Sequence, residues 1–193
     1  MKRVKTLLFQ FAVIGALAAL VSSTGCESKK VASHVDALDS AEYLLKQADE
    51  NLAVDPGYLQ KRVDTMKAQL LYIDSLVPGL AGMQDERGIA YNTYRSSLKT
   101  FEDYLEAFDP FLLENQFLMK RVVDIRQELK LKSGSEREAL IAQIPEIQDR
   151  SYANFVATKT LIRAYLDALR PFQRKRKIVD HLFLKLVEKN SPN

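Results

Sequence analysis

The sequence predicts an all-α protein, an elongated antiparallel helical bundle of three long passes. Its apolar residues recur at alternating spacings of three and four, which is the period of one helix face. Glycine (7) and proline (6) are scarce among the 193 residues. No segment sustains the alternation of apolar and polar residues that a half-buried strand requires, so we expect no sheet.

Two groups of helix-breaking residues divide the body of the chain. They are Pro78-Gly79 with Gly82, and Ser133-Gly134-Ser135. Because glycine and proline interrupt helices, they predict three passes, over residues 34–77, 83–132 and 135–190. Ser135 and Glu138 have the spacing of a capping box, which predicts that Ser135 caps the third pass.

The apolar stripe predicts the core of each pass. The first pass contributes Leu38, Ala41, Leu45, Ala48 and Leu52, followed by Leu59, Val63, Met66, Leu70, Ile73 and Val77. The second contributes Tyr94, Leu98, Phe101, Leu105, Phe108 and Leu112, and the third Phe155, Ile162, Tyr165, Leu169 and Phe172. Most of the five tyrosines that follow these stripes should have buried rings and hydroxyls that reach a polar partner at the rim. They are Tyr91, Tyr94, Tyr104, Tyr152 and Tyr165; the alternative is that they line a ligand groove.

Each pass has a proline near its middle, at Pro56, Pro110 and Pro171. Proline removes a hydrogen bond and clashes with the preceding turn, so each pass should be kinked or broken there. Asp55 and Asp109 could each cap a new helix that has proline at its first position. The turn at Pro56 could instead be a full reversal, as in tetratricopeptide hairpins, and five or six shorter helices are the alternative to three kinked passes.

Passes two and three align with each other at a constant offset of 61 residues. Tyr91, Tyr94, Ser97, Tyr104, Leu105, Ala107, Pro110 and Phe111 align with Tyr152, Phe155, Thr158, Tyr165, Leu166, Ala168, Pro171 and Phe172. We interpret this match as an internal duplication of passes two and three. The alternative is that two helices of the same apolar period align loosely without common origin.

The charge of the chain is balanced overall but not along its length. Residues 1–25 hold three bases and no acid, so the formal charge of +3 disappears when they are removed. Residues 26–110 carry 9 bases and 15 acids, and residues 111–193 carry 16 bases and 10 acids. Complementary halves fit a chain that folds back on itself, and the missing overall basic excess argues against nucleic acid as a partner.

The N-terminus has the three parts of a secretory signal. A basic start over residues 1–5 precedes an apolar run over residues 7–21, and small residues then lead to Cys26. The run is short for a transmembrane helix, which needs about 20 apolar residues. The only cysteine of the chain cannot form an internal disulfide.

The residues before Cys26 resemble the lipobox of bacterial lipoproteins. Thr24, Gly25 and Cys26 match that pattern, whereas Ser23 departs from it, since most lipoboxes carry leucine there. The resemblance implies that the Cys26 thiol takes a diacylglycerol and that the chain is cut before Cys26. Ordinary cleavage and an uncleaved signal anchor are the alternatives. Glu27 stands where an aspartate would imply retention at the inner membrane, so the resemblance implies the outer membrane.

These observations predict the domain organisation and the location of the protein. Residues 1–25 form a lipoprotein signal peptide, residues 26–33 a polar tether, and residues 34–193 a single helical-bundle domain. We expect the protein in the cell envelope, anchored by lipid on Cys26 to the outer membrane and facing the periplasm.

The sequence predicts no enzyme, no catalytic residue, no cofactor and no metal site. Its two histidines, His34 and His181, lack the spacing of a metal-binding helix. No glycine-rich phosphate loop and no Gly-x-Ser-x-Gly motif occurs. Acidic residues cluster at Asp85-Glu86 and at Glu102, Asp103 and Glu106. They could bind a cation, but we interpret them as solvated helix faces.

The densest basic stretch is Arg170 with the four residues 174–177. Consecutive residues of a helix point about 100° apart, so these four cannot form one basic stripe. A basic helix with an apolar face could lie on anionic lipid. We expect instead that it packs in the bundle and that its cations stay in water.

The predicted function is that of a non-enzymatic binding or scaffold lipoprotein. The predicted partners are the membrane, through the lipid anchor, and another envelope protein, through an amphipathic helical surface. The alternative is a carrier of a small ligand or lipid, with a cavity where the kinked passes separate.

Overall fold

The structure is a computed structural model that describes residues 32–191, which leaves Cys26, the predicted signal peptide and most of the predicted tether outside the described residues. The described part is all α-helical and contains no strand. Its elements are α1 (32–51), α2 (Pro56–Leu76), a 3-10 turn (Leu80–Gly82), α3 (Glu86–Leu131), α4 (Gly134–Ile141) and α5 (Ile144–Asn190). The prediction of an elongated all-α bundle with three passes is confirmed.

The first pass is broken at Pro56 into α1 and α2, which follow one another in the same direction. Asp55 caps α2, since its Oδ1 accepts hydrogen bonds from the backbone nitrogens of Gly57 (2.8 Å) and Tyr58 (3.2 Å). Proline tolerates this first helical position because its missing N–H would have no helical partner there. The full reversal at Pro56 is wrong, because α1 packs against the C-terminal part of α3 and α2 against its N-terminal part.

The second and third passes continue through their prolines as long, bent helices. Pro110 lies inside α3 and Pro171 inside α5. The predicted cap at Asp109 is therefore wrong, because the backbone is helical on both sides and offers no new N-terminus. Proline bends a helix and disturbs the carbonyls of the preceding turn. In α5 one of these, the Ala168 carbonyl, accepts a hydrogen bond from Ser97 Oγ at 3.2 Å.

The third pass begins differently from its prediction. The helix α4 starts at Gly134 after Ser133, so the predicted cap at Ser135 is wrong, and no side chain caps α4. Gly134 has a φ of 57°, a left-handed conformation that glycine adopts without strain. The chain then restarts as α5 with Pro145 in its first turn, a break that the sequence analysis missed.

The three passes run up, down and up. Ser97 of α3 contacts Ala168 of α5, whereas Asn115 further along α3 contacts Asn154 earlier in α5, so α3 and α5 are antiparallel. The first pass is parallel to α5 and antiparallel to α3, and α3 and α5 form the most extensive helix pair. Helix α3 alone has 46 residues, which gives a rod about 69 Å long.

The core of the rod consists of two clusters. The proximal cluster lies at the end where residue 32 begins and is aliphatic: Leu38, Ala41, Leu45, Leu118, Val122, Ile125, Leu129, Ile144 and Ile147. The distal cluster lies beyond it and is rich in aromatic rings, among them Tyr91, Tyr94, Phe101, Tyr104, Phe108, Tyr165 and Phe172. Predicted core positions of the first pass are buried throughout both clusters, except Val77, which is half-buried.

A layer of polar side chains separates the two clusters. We call Asn51, Asn115, Asn154 and Thr158 the polar layer. Asn115 Nδ2 donates to the Leu45 carbonyl at 3.1 Å, and Asn154 Nδ2 donates to Asn115 Oδ1 at 3.1 Å. Asn51 Nδ2 donates to Thr158 Oγ1 at 3.3 Å. Polar groups in a dry interior must be paired, so these bonds hold all three passes at one relative height.

The proposed internal duplication stays a prediction. Aligned positions are buried in both helices at Ser97 and Thr158, at Tyr104 and Tyr165, and at Leu118 and Val179. At the start of the alignment they differ, since Tyr91 is buried and Tyr152 is 60% exposed. Tyr152 is therefore an exception to the expected burial of these tyrosines, because it lies on the outward face of α5, whereas Ser151 and Asn154 of the same turn are buried.

Candidate functional site

Positive charge is concentrated at the end of the rod that lies farthest from residue 32. We call residues 66–98 and 168–190 the distal end; they carry 10 bases and 5 acids. The rest of the described chain carries 13 bases and 19 acids. The opposite charges of the two sequence halves suggested a chain that folds back on itself, and the three passes do so. The folded chain also has its excess of positive charge at one end of the rod. The distal end is thus the part of the described surface that is suited to an anionic partner.

The outward face of α5 presents five basic side chains in a row. We call Arg163, Arg170, Arg174, Lys177 and Lys185 the basic stripe. At 100° per residue they fall within an arc of about 80° and extend over about 33 Å. All five are exposed, and none forms an ion pair within residues 32–191. His181 lies between them on the same face, and Asp167 is the exposed acid in this span.

The other two cations of the dense basic stretch point away from the stripe. Lys175 Nζ lies 3.7 Å from Glu86 Oε1 on α3. Arg176 Nε donates to Asp180 Oδ2 at 3.0 Å. The prediction that residues 174–177 form no single stripe is confirmed. Arg174 and Lys177 instead join bases one or two turns away, which was not predicted although the spacings of 7, 4, 3 and 8 residues indicate one helix face.

Behind this surface, tyrosines of the distal cluster connect the core to polar rim residues. The hydroxyl of Tyr91 donates to Asp74, and that of Tyr94 donates to Gln69 Oε1. The hydroxyl of Tyr104 donates to the Asn51 carbonyl at 3.4 Å. The predicted arrangement of buried rings with bonded hydroxyls is thus confirmed for these three residues.

Burial keeps these hydroxyls protonated. It raises the pKa of Tyr91 to about 12, with a further contribution from the carboxylate of Asp74. Burial also raises the pKa of Tyr104 to about 12, and it raises the pKa of Tyr94 further. The ordinary pKa of a phenol is about 10, so each of these groups acts as a hydrogen-bond donor at neutral pH.

The acidic clusters take part in structural contacts. Asp85 caps α3, with its Oδ1 accepting from the Gly88 nitrogen at 2.9 Å. Glu102 pairs with Lys67 at 2.7 Å, and Asp103 pairs with Lys99 at 3.3 Å. Within the described residues, no group of three or more histidine, cysteine or acidic side chains is placed to hold a metal ion.

Two clefts lie beside the elements that form the distal end. One, of about 240 Å³, opens between α2 and α5 and includes Arg62, Phe172 and Arg176 in its lining. The other, of about 520 Å³, lies between α3 and α5 next to Pro171. Both are open to solvent, and the first combines aromatic rings with cations.

The predicted anchor lies beyond what the structure describes. Cys26, the one predicted site residue, is outside residues 32–191, so its lipid attachment stays a prediction. Over the described residues, no helix has the length and apolar character that crossing a membrane would require.

Comparisons with known proteins give no relative for this chain. No protein-family model matches it, and neither a curated protein nor a solved structure shows significant similarity to it. The functional assignment therefore depends on the residues of the chain itself.

Proposed function

We propose that the protein is a non-enzymatic scaffold lipoprotein of the bacterial cell envelope. Lipid on Cys26 holds it to the membrane, with the outer membrane as the expected location, and the basic stripe binds another envelope protein through an acidic surface. The observation that carries this proposal is the basic stripe, a row of five exposed cations that form no ion pair within residues 32–191 and that lie beyond the polar layer as seen from residue 32.

The position of the stripe relative to Cys26 supports an upright orientation. Five residues separate Cys26 from residue 32, where the described helix starts, and an extended chain over those six steps reaches about 20 Å at most. Gln148 of α5 bonds to Ala37 near the start of α1, and Lys185 lies about 55 Å further along α5. The described chain outside the distal end has 13 bases and 19 acids, so anionic lipid would repel that part and favour a rod that stands away from the membrane.

An acidic protein fits the stripe better than a lipid surface does. A helix that lies on lipid needs an exposed apolar face, and the apolar face of α5 packs in the distal cluster through Phe172, Val179 and Phe183. Three of the five cations are arginines, which are enriched in the centres of protein interfaces. The exposed Leu166 and Leu184 flank the stripe and add apolar contact area.

Photo-crosslinking in intact cells tests the partner. A photo-reactive amino acid at position 173, which is exposed beside the stripe, should form a covalent adduct with one envelope protein. The double variant Arg174→Glu/Lys177→Glu should lower the yield about tenfold or more, because two favourable charge contacts become repulsive. Loss of the adduct would also follow if the variant unfolded, so its helix content must match that of the wild type.

The matched control is Lys120→Glu/Lys130→Glu. Both lysines are exposed on α3 outside the distal end, so the change in net charge is the same but the stripe is intact. This control should crosslink as the wild type does. Equal yields from wild type and stripe variant, or the same loss from both double variants, would contradict the proposal.

The anchor is tested separately by membrane fractionation of a Cys26→Ser variant. Without the thiol no diacylglycerol can be attached, so we expect uncut or mis-cut protein that no longer sediments with membranes. Unchanged membrane association of this variant would refute the lipid anchor and leave the crosslinking result unaffected.

A further inference from the structure

The cleft between α2 and α5 contains an arginine with no acidic partner. The guanidinium carbon of Arg62 lies 4.9 Å from the ring centre of Tyr58 and 5.3 Å from that of Phe172. Arg62 Nη2 donates to the Tyr58 hydroxyl at 2.6 Å, and the guanidinium makes no ion pair within residues 32–191. Since arginine has five N–H donors, four remain for a ligand. The aromatic contacts fix the side chain before any ligand arrives, which lowers the entropy cost of binding.

Three other polar side chains of the cleft, Gln69, Asp180 and Arg176, are bonded to each other. Asp180 Oδ1 accepts from Gln69 Nε2 at 3.1 Å, and Asp180 Oδ2 accepts from Arg176 Nε at 3.0 Å. The hydroxyl of Tyr94 bonds to Gln69 Oε1 at the floor of the cleft. The one carboxylate of the lining is thus already engaged, and it forms no ion pair with Arg62.

The charge of the lining selects the class of ligand. Lys61, Arg62 and Arg176 supply three positive charges and Asp180 one negative charge, which leaves a net charge of +2. A phosphate monoester carries about −1.5 to −2 at neutral pH and accepts the paired N–H bonds of a guanidinium. The exposed ring of Tyr58 adds apolar surface beside these cations, which suits an apolar or aromatic body on the phosphate.

We infer that the α2–α5 cleft is a binding site for a small organic phosphate monoester, with Arg62 as its central ligand-binding residue. The phosphate oxygens accept from the free N–H groups of Arg62 and lie between Lys61 and Arg176. The organic body lies against the ring of Tyr58, which is 58% exposed. A volume of about 240 Å³ limits the occupant to a small molecule or to the headgroup of a lipid. This site is independent of the proposed protein partner, whose stripe lies on the outward face of α5.

Isothermal titration calorimetry tests the site with the full-length chain in a zwitterionic detergent. Phenyl phosphate should bind saturably, whereas inorganic phosphate and benzoate should each bind about tenfold more weakly, because one lacks the ring and the other the second charge. Arg62→Gln should weaken the binding of phenyl phosphate about ten- to a hundredfold, the range expected for lost charge-assisted hydrogen bonds. Arg62→Lys should give an intermediate loss, because it keeps the charge but not the planar donor pair.

Arg170→Gln is the matched control, since it removes the same side chain from the stripe and should leave the affinity unchanged. Lys61→Gln changes an exposed side chain and should weaken binding severalfold. Vesicles of phosphatidylcholine with and without phosphatidic acid distinguish the two sources of a monoester. Displacement of phenyl phosphate by the phosphatidic acid vesicles alone identifies a lipid headgroup, and no displacement identifies a soluble ligand.

Three results would overturn the inference. The first is the absence of saturable binding at millimolar phenyl phosphate. The second is equal affinity for inorganic phosphate or benzoate, which would show an unspecific anion site. The third is equal weakening by Arg62→Gln and Arg170→Gln, which would show that only net charge matters.

Discussion

The two clusters of the core differ in chemistry although the same three passes build both. The proximal cluster consists of aliphatic side chains, whose outer ends are carbon atoms. The distal cluster contains rings that stack in pairs, such as Phe101 with Tyr165 at 5.3 Å and Tyr94 with Phe172 at 5.3 Å between ring centres. Tyrosine hydroxyls of this cluster reach Gln69 and Asp74, so the core fixes polar groups at the surface.

This difference indicates that the two clusters have different roles in the protein. An aliphatic cluster can only hold helices together, whereas a tyrosine buries a ring and still holds a rim side chain in one position. The candidate sites accordingly lie around the distal cluster, where Gln69, Arg62 and the face of α5 are held by aromatic contacts. Four predictions test whether the two regions are as distinct as their contacts indicate.

The largest effect is expected from Phe101→Ala. Phe101 is fully buried and contacts Tyr165 and Phe172, so truncation leaves a cavity that the stacked rings cannot fill. We expect a loss of about 3–5 kcal/mol in the free energy of unfolding, measured by urea denaturation. Phe117→Ala, on the same helix but 49% exposed, is the control and should cost much less. Similar costs for the two variants would refute the packing of the distal cluster.

Alkaline pH should destabilise the distal cluster selectively. Tyr91 and Tyr104 have pKa values of about 12 in the folded protein, against about 10 in an unfolded chain. Below pH 10 both states hold the protons and the stabilisation is complete. As the pH rises from 10 to 12, the unfolded chain releases them first and stability falls by up to ~1.4 kcal/mol per unit for each tyrosine.

Thermal unfolding followed by circular dichroism measures this loss. The double variant Tyr91→Phe/Tyr104→Phe is less stable at neutral pH but should show a flatter decline above pH 10, because the two phenols no longer titrate. A decline as steep as that of the wild type would show that other groups cause the alkaline loss.

The polar layer should behave as a bonded unit. Asn115→Leu leaves the Leu45 carbonyl without its side-chain donor and Asn154 Nδ2 without its acceptor. Because Asn154 Oδ1 already lacks a partner within the described residues, the amide would then be wholly unpaired, at a cost of about 1–3 kcal/mol. Adding Asn154→Leu should restore part of that stability in urea denaturation. A double variant whose losses simply add would contradict coupling between the two amides.

The smallest expected effect distinguishes the first pass, which is broken at its proline, from the second pass, which continues through its proline. Asp55→Ala removes the cap of α2 and should cost about 1 kcal/mol. Asp109→Ala changes the residue before Pro110 in the same way, but there is no helix start to cap, so a change of less than about 0.5 kcal/mol is expected. Comparison of the two melting temperatures is sufficient, and equal losses would mean that α3 is also broken at its proline.

The sequence predicted those features of the fold that depend on helical period alone. The positions Leu38, Leu45, Leu59 and Ile73 are buried as expected, because an apolar stripe must face its neighbours whatever the details of packing. The outcome at each proline was not predictable in this way. Asp55-Pro56 and Asp109-Pro110 are the same dipeptide, yet a helix starts at the first proline and continues through the second.

The candidate sites were less accessible to sequence reasoning. Identifying the basic stripe required knowing which face of α5 points to solvent. The spacing of the apolar residues contains that information, but the dense basic run at residues 174–177 obscured it. The α2–α5 cleft was not predictable, because Arg62 and Phe172 are 110 residues apart and meet only through the register of three passes. The polar layer sets that register, and its residues give no periodic signal.

The continuity of α3 and α5 through the polar layer has a mechanical consequence. Two uninterrupted helices make the rod stiff, so its length fixes the height at which a lipid-anchored protein would present α5. Insertion of one heptad into each pass would raise that height by about 10 Å and turn the stripe by only about 20°. The number of heptads would therefore set the distance of the stripe from the membrane, and their phase would set the direction in which the stripe faces.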